Sequence, residues 1–316
     1  MKRWMVVAVA LMACSAAQAE YPTKPITIVV PFGAGSGTDV VTRVIAEPLG
    51  MALKQTIIVE NKAGANGAIA AIQVARAVPD GHMLLMGTNS PLSAAPMLNK
   101  TLGYDPINDF APISRVGSYT FILAAHRDLN LTSVRELIAY AKANPGKLSY
   151  ASGNTSGIVA AATLKQRTGI DIVHVPYKTV PQALNDVLAG RAPIIVSDLT
   201  PTLPHVRAGV LRALAVTRLQ RSTFLPDVPT LHEAGVSEFE MDSWAGMVAP
   251  AGIPPAVAGL LNAELRKIID SPETKARLAS VGFEAFSSTP DELADFVKVQ
   301  LGKWTQMIKD AGIEAE

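Results

Sequence analysis

Apolar residues along this chain follow two alternating rhythms. Residues 26–30 form a run that is apolar except at Thr27, suited to a strand buried on both faces of a parallel sheet, and Val40, Val41, Val44, Ile45 and Leu49 then recur at helical spacing. That spacing predicts a helix over 38–53, capped by Thr38 or Asp39, with Pro48 as the place where it would kink or split. The exchange repeats: strands at 56–59, 83–86, 148–150, 170–174 and 193–196 alternate with helices at 67–77, 133–144, 156–168 and 181–189. Ser133-Val134-Arg135-Glu136 reads as a capping box for one helix, and Gly190 as the stop of another. The C-terminal part predicts three helices, at 254–270, 272–281 and 290–311. Alternation of this kind predicts an α/β fold built of doubly wound sheets.

Two stretches interrupt the alternation. Residues 110–125 hold two apolar runs with only Gly117-Ser118 between them, and 239–250 is an extended segment with no helix before it. Two passages between domains describe an inserted domain. The expected division is 20–122 plus 244–316 for domain one and 123–243 for domain two. No internal repeat of fixed period and no low-complexity segment is visible.

Ahead of the first strand, Lys2 and Arg3 precede an apolar run from Trp4 to Ala13 and then Ala17-Gln18-Ala19, the layout of a secretory signal peptide spanning 1–19. Leu11-Met12-Ala13-Cys14 competes as a lipoprotein cleavage box, which Met12 fits poorly. No later stretch reaches the roughly 20 apolar residues of a membrane span. An exported, periplasmic chain is therefore expected. Removing 1–19 lowers 28 Lys+Arg to 26 against 27 Asp+Glu, so net charge moves from +1 to −1. A near-neutral chain without a basic run gives no reason to expect nucleic acid or acidic lipid as a partner. The single cysteine also leaves with the leader, and with it any disulfide, thiolate nucleophile or iron–sulfur cluster. The 297 residues that remain exceed what one core usually serves.

Ligands of open α/β sheets bind at the carboxyl ends of the strands. Two loops of small and hydroxyl residues stand there: Pro31-Phe32-Gly33-Ala34-Gly35-Ser36-Gly37-Thr38-Asp39 and Ser152-Gly153-Asn154-Thr155-Ser156-Gly157. Small residues let backbone N–H groups approach an anion, hydroxyls add donors, and the helix dipole favours negative charge at that end. Neither loop carries Lys or Arg. A hydrogen bond to a charged group contributes roughly 1.5–3 kcal/mol, so about four or five of them, less the cost of ordering, match the roughly −8 kcal/mol of a micromolar site. Turning the chain and capping helices is the other use of such loops.

Competing chemistries are poorly supported. Gly33-Ala34-Gly35 with Glu60 begins a dinucleotide fingerprint, but Thr38 stands where its third glycine belongs. Ser36 and Ser156 lie outside any Gly-x-Ser-x-Gly sequence. His82, His126, His174, His205 and His232 show no pair at metal-ligand spacing. His174 ends a strand ahead of a turn that could bring Tyr177, Lys178 or Thr179 to a cleft, although a lysine after a strand is commonly just a surface residue. No catalysis, cofactor or metal is expected.

Several motifs, in order, carry a resemblance. Val29-Val30-Pro31-Phe32-Gly33-Ala34-Gly35 with Thr38-Asp39, Val59-Glu60-Asn61-Lys62-Ala63-Gly64-Ala65-Asn66-Gly67, Tyr150-Ala151-Ser152-Gly153-Asn154 and Val175-Pro176-Tyr177-Lys178 are four of them. Leu211-Arg212-Ala213-Leu214-Ala215-Val216-Thr217 and Trp244-Ala245-Gly246-Met247-Val248-Ala249-Pro250-Ala251-Gly252 complete the set. The chain resembles the extracytoplasmic receptors of tripartite tricarboxylate transporters, the Bug family, over essentially its whole mature length. That resemblance implies a two-domain flytrap of the type II periplasmic-binding-protein kind, no catalysis, and a small carboxylate held partly through ordered waters. It further implies a large and a small membrane subunit as partners, with the receptor itself a monomer. An exported α/β enzyme and a solute sensor feeding a signalling partner are the alternatives. Carried over by position, the ligand site draws on Phe32, Ala34, Gly35, Ser36 and Asp39 of the first loop and Gly153, Asn154, Thr155 and Ser156 of the second. Thr88, Asn89 and Ser90 follow a strand of domain one, and Ser197 and Asp198 a strand of domain two. Three departures touch this site: Ser36 replaces a second glycine, the second loop is short and lacks a histidine in its helix, and Thr179 replaces glycine.

Overall fold

β1 (Ile26–Val30) runs into α1 (Gly37–Leu53), then β2 (Ile57–Asn61), α2 (Ala68–Ala75), β3 (Met83–Thr88) and the short α3 (Ala95–Leu98). The computed structural model of the protein describes residues 21–315, and the expected leader with Cys14 lies outside them. β4 (Phe110–Tyr119) and β5 (Phe121–His126) follow with only Thr120 between them. Next come α4 (Val134–Ala143), β6 (Leu148–Ser152), α5 (Thr155–Thr168), β7 (Ile172–Pro176), α6 (Val180–Leu188), β8 (Ile194–Asp198), α7 (Leu199–Arg207) and β9 (Leu211–Val216). The chain ends with β10 (Ser243–Pro250), α8 (Pro255–Asp270), α9 (Pro272–Ser280), β11 (Phe283–Ala285) and α10 (Pro290–Asp310).

The strands form two sheets, in the orders β11-β4-β10-β3-β1-β2 and β7-β6-β8-β5-β9. Within them β2-β1-β3 and β7-β6-β8 are parallel trios joined by helices. β10, β4 and β11 add to the first trio antiparallel, as β5 and β9 add to the second. The sheets are mixed because the strands next to each passage run against the wound trio. The chain leaves the first sheet at Thr120 and returns to it after residues 217–242. Gly117-Ser118, expected to separate two strands, instead lies within β4 beside a register shift against β10.

Alternation of side chains assigns each strand's two faces. Ile26 and Ile28 of β1 with Leu84 and Met86 of β3 pack on the side of α1, α8 and α9, whereas Val29 and Leu85 pack with α2 and α10. In the second sheet Leu123 and Ala125 join the first of these cores, and Ile122 and Ala124 pack with α6 and α7.

Helix ends follow local chemistry. The cap of α1 is Ser36 and not the expected Thr38 or Asp39, since the Ser36 hydroxyl accepts from the Asp39 N–H; Asn154 accepts likewise from that of Gly157. Ser133 accepts from the Glu136 N–H, but Glu136 reaches back to the N–H and hydroxyl of Thr132, one residue before the expected partner. α1 passes through Pro48 unbroken. Four elements were not expected: the short α3, α7, whose sequence carries Pro201 and Pro204, β9 and the three-residue β11. Among the described residues no helix is long and apolar enough to cross a membrane.

Candidate functional site

The amino ends of α1 and α5 open on one cavity between the two sheets. It is lined by Phe32, Ser36, Gly37 and Thr38 from the first loop and helix, Thr88, Asn89 and Ser90 after β3, Asn154 and Ser156 from the second loop, and Asp198 at the end of β8. Tyr119, Phe121, Val180 and Ser243 complete the lining, and no Lys, Arg or His is among these residues. The cavity encloses about 320 Å³ of non-atom space, mouth included, with water-sized room of only about 20 Å³. That is about what a single water requires, so the lobes are drawn together in this conformation.

Each helix contributes amides. The first four N–H groups of a helix have no partner within it. In α1 the Ser36 hydroxyl takes the Asp39 amide and the Ser36 carbonyl that of Val40, which leaves Gly37 and Thr38. In α5 the Asn154 side chain and carbonyl take Gly157 and Ile158, which leaves Thr155 and Ser156. Two positive helix ends therefore face one space from opposite sides.

A relay of side chains joins the lobes across this space. The Ser243 hydroxyl donates to Asn89 Oδ1, and Asn89 Nδ2 donates to Ser156 Oγ at 2.7 Å. The irregular turn after β3, which carries Asn89 and continues as a π-turn over Ser90–Ala94, places this amide between the sheets. Tyr119 at the end of β4 donates to Thr38 Oγ1 at 3.3 Å. Several buried polar atoms at or beside the cavity have no hydrogen-bond partner among the described residues: Thr88 Oγ1, Thr155 Oγ1, Thr200 Oγ1 and Asp198 Oδ1. Buried orphans cost about 1–3 kcal/mol each when nothing answers them, and their clustering marks the place where a ligand or water would answer them.

The expected site residues divide into two groups. Phe32, Ser36, Thr88, Asn89, Ser90, Asn154, Ser156 and Asp198 are brought together around the cavity, Thr155 lies beside it between two of them, and the others are employed elsewhere. Asp39 accepts from the Gly35 N–H at 2.9 Å, Arg43 Nε at 3.0 Å and Asn61 Nδ2 at 3.0 Å. Burial alone would raise its pKa, but these donors outweigh it and hold the carboxyl below its usual range. Asn61 also donates to the Phe32 carbonyl, so this cluster braces the first loop and uses the Gly35 amide. Ala34 and Gly35 are exposed. Gly153 lies against the backbone of Thr179 and Val180, where a Cβ would come within 2.2 Å of the Thr179 carbonyl carbon. Thr155 is wholly buried at the first position of α5, and the Ser197 hydroxyl donates to the carbonyl of Asp198. Tyr177 donates to Asp186, which also pairs with Arg191, while Lys178 is exposed and Thr179 packs against Gly33. His174 bonds Ser152 at 2.6 Å and stacks on Tyr150. Gly37, Thr38, Tyr119, Phe121, Val180 and Ser243 were not among the residues carried over to the site; Gly37 and Thr38 lie within the first loop, and Tyr119, Phe121 and Ser243 sit at the passages between lobes, where the interruptions in the rhythm were the available signal.

The family model for the tripartite tricarboxylate transporter family receptor matches residues 41–313. Protein BugT of Bordetella pertussis is 33% identical over 309 residues, covering 97% of this chain and 95% of that one. Two solved structures are similar throughout: Rpa4515 of R. palustris with adipate, TM-score 0.92 at 32% identity, and periplasmic binding protein BugD, TM-score 0.89 at 36% identity. Each covers 94% of this chain and 100% of its own. With the family model and a full-length relative both matched, the chain belongs to the tripartite tricarboxylate transporter receptors of the Bug type, which are solute-binding receptors and not enzymes.

Proposed function

We propose that this receptor captures a small carboxylate in the cavity between its lobes and delivers it to the large and small membrane subunits of a tripartite transporter. The observation that carries this reading is the pair of opposed helix ends, which offers the amides of Gly37, Thr38, Thr155 and Ser156 with no cationic side chain in the lining. Such a site suits a carboxylate: the donors are fixed, neutral and aimed at one point, so no buried cation needs a counter-charge when the site empties. A ligand larger than water enters only when the lobes part, since the closed space is about 20 Å³. Rpa4515, which holds adipate, supports a linear dicarboxylate as the class to test first.

In this reading the lobes are the two expected domains, residues 20–122 with 244–316 and residues 123–243, acting as a monomer in the periplasm after removal of residues 1–19. Phe32, Ser36, Asn89, Asn154 and Ser156 are the residues expected to meet the ligand. Mass spectrometry of the small molecule released on denaturing the exported protein is the test. A carboxylic acid supports the proposal, and an uncharged sugar or a metal chelate overturns it. Intact mass checks export: a chain beginning at Glu20 is expected, and a lipid on Cys14 would contradict it.

A further inference from the structure

Asp198 is the one carboxylate in the cavity lining, and its surroundings do not suit an anion. It stands at the cap position of α7, where an aspartate ordinarily accepts an amide of the first turn. No such bond forms: the third residue of the helix is Pro201, which has no N–H, and the Leu199 amide donates to the carbonyl of Thr120. The side chain turns instead toward α1, so close that a Cβ on Gly37 would lie 2.1 Å from Oδ1. The residue is 6% exposed, and Oδ1 has no partner among the described residues.

Among the described residues no cation compensates it from any side. From α1 the nearest charged groups, Asp39 and Arg43, are engaged with each other and with Asn61. From β4 comes Tyr119, whose hydroxyl burial keeps protonated, and from β5 Phe121. The turn carrying Asn89, α5 and α6 contribute only neutral groups to the lining, and α7 carries no titratable side chain before His205. Burial pushes the Asp198 carboxyl up to about 7 even without a second anion beside it.

We propose that Asp198 enters the closed, loaded cleft as the neutral acid and donates a hydrogen bond to the captured carboxylate, so that one proton is taken up from solvent with each anion. This rests on the reading of the cleft as a carboxylate site and deepens it. An ionised Asp198 would be the sole acceptor-only group among donors and would face the ligand as a second negative charge. As the acid it becomes one more donor, and the orphaned oxygen gains its partner when the ligand arrives.

With the lobes parted, water would reach Asp198 and return its carboxyl toward the ordinary carboxylate range; closing on an anion raises it. Binding is therefore strongest at low pH and weakens by up to about tenfold per unit as pH rises between the open and closed values.

Calorimetry with adipate tests this between pH 6.5 and 8.5, where the ligand is fully ionised, in two buffers of different ionisation enthalpy. Uptake approaching one proton and a falling affinity with pH are expected for the wild type. Asp198→Asn, whose amide also donates, should keep affinity within a few fold while losing both the uptake and the pH slope. Asp198→Leu should weaken binding by at least about tenfold, the worth of a donor to a charged acceptor. Adipate bound without proton uptake overturns the proposal alone. So does a hundredfold loss in Asp198→Asn joined to a wild-type preference for aspartate over succinate, which would make Asp198 an ionised acceptor for an ammonium group. No carboxylate bound at any pH removes the carboxylate reading itself, and this proposal with it.

Discussion

Replacing Gly37 by alanine adds one methyl group at the point where the lobes meet. The added carbon would lie 2.1 Å from Asp198 Oδ1, 3.1 Å from its Cγ and 3.2 Å from Thr200 Cβ, all on the opposite lobe. Within its own lobe the change is harmless. The position lies outside the left-handed backbone region, and alanine forms helix better than glycine. The penalty therefore falls on the closed state only. Overpacking of this size costs about 1–3 kcal/mol, which at about 1.4 kcal/mol per tenfold raises the dissociation constant about five- to 150-fold. Gly35→Ala is the internal control: its φ of +78° imposes about 1 kcal/mol of local strain on both states alike, and its Cβ would meet only Pro181, at 3.7 Å. Calorimetry with adipate, paired with small-angle scattering with and without ligand, reads both. Gly37→Ala should unfold at the wild-type temperature or higher, bind weakly and compact incompletely. Wild-type affinity with full compaction in Gly37→Ala would refute the idea that binding requires these two surfaces to touch.

Asp39→Asn should lower stability by about 1.5–3 kcal/mol at pH 7, because it strips the ionised acceptor from Arg43, Asn61 and the Gly35 amide. As the Asp39 pKa is lowered on folding, that contribution is complete above about pH 4 and fades as pH falls through the folded value. Thermal melts of the two proteins should converge in acid, and identical melts at pH 7 would contradict the bracing role. Asn89→Ala should weaken carboxylate binding about tenfold by leaving Ser156 and Ser243 without their shared partner; an unchanged affinity would show that the relay does not shape the closed site. Lys178→Ala should leave affinity within twofold, since the side chain is exposed and outside the cavity lining. A larger loss would mean that a cation reaches the ligand.

Both loop-to-helix units were legible because local chemistry specifies them. Strands lead through runs of small and hydroxyl residues into both helices, although the cap of the first is Ser36 and not Thr38 or Asp39. α7 was illegible because Pro201 and Pro204 speak against a helix, although one occupies the first turn where its missing N–H is not needed. β11 is three residues long and exists only through its pairing with β4. In the site, spacing could not reveal that Asp39 would be claimed by Asn61, 22 residues away, or that Ser243 would reach Asn89 across 154 positions. Nor could it show that Gly37, rather than Gly35, is the position pressed tightly against the opposite lobe. Each of these is a contact between distant segments, set by the tertiary fold and not by any local pattern.

In the proposed site, neutral donors at two helix ends hold an ionised carboxylate. Calorimetric titration with a series of linear dicarboxylates, followed by the diamide of the tightest binder, tests it most directly. The acid should bind with a micromolar or lower dissociation constant, and its diamide at least about a hundredfold more weakly, because amide ends lack the negative charge that the amides of Gly37, Thr38, Thr155 and Ser156 are placed to receive. Equal affinity for the acid and the diamide would contradict the account.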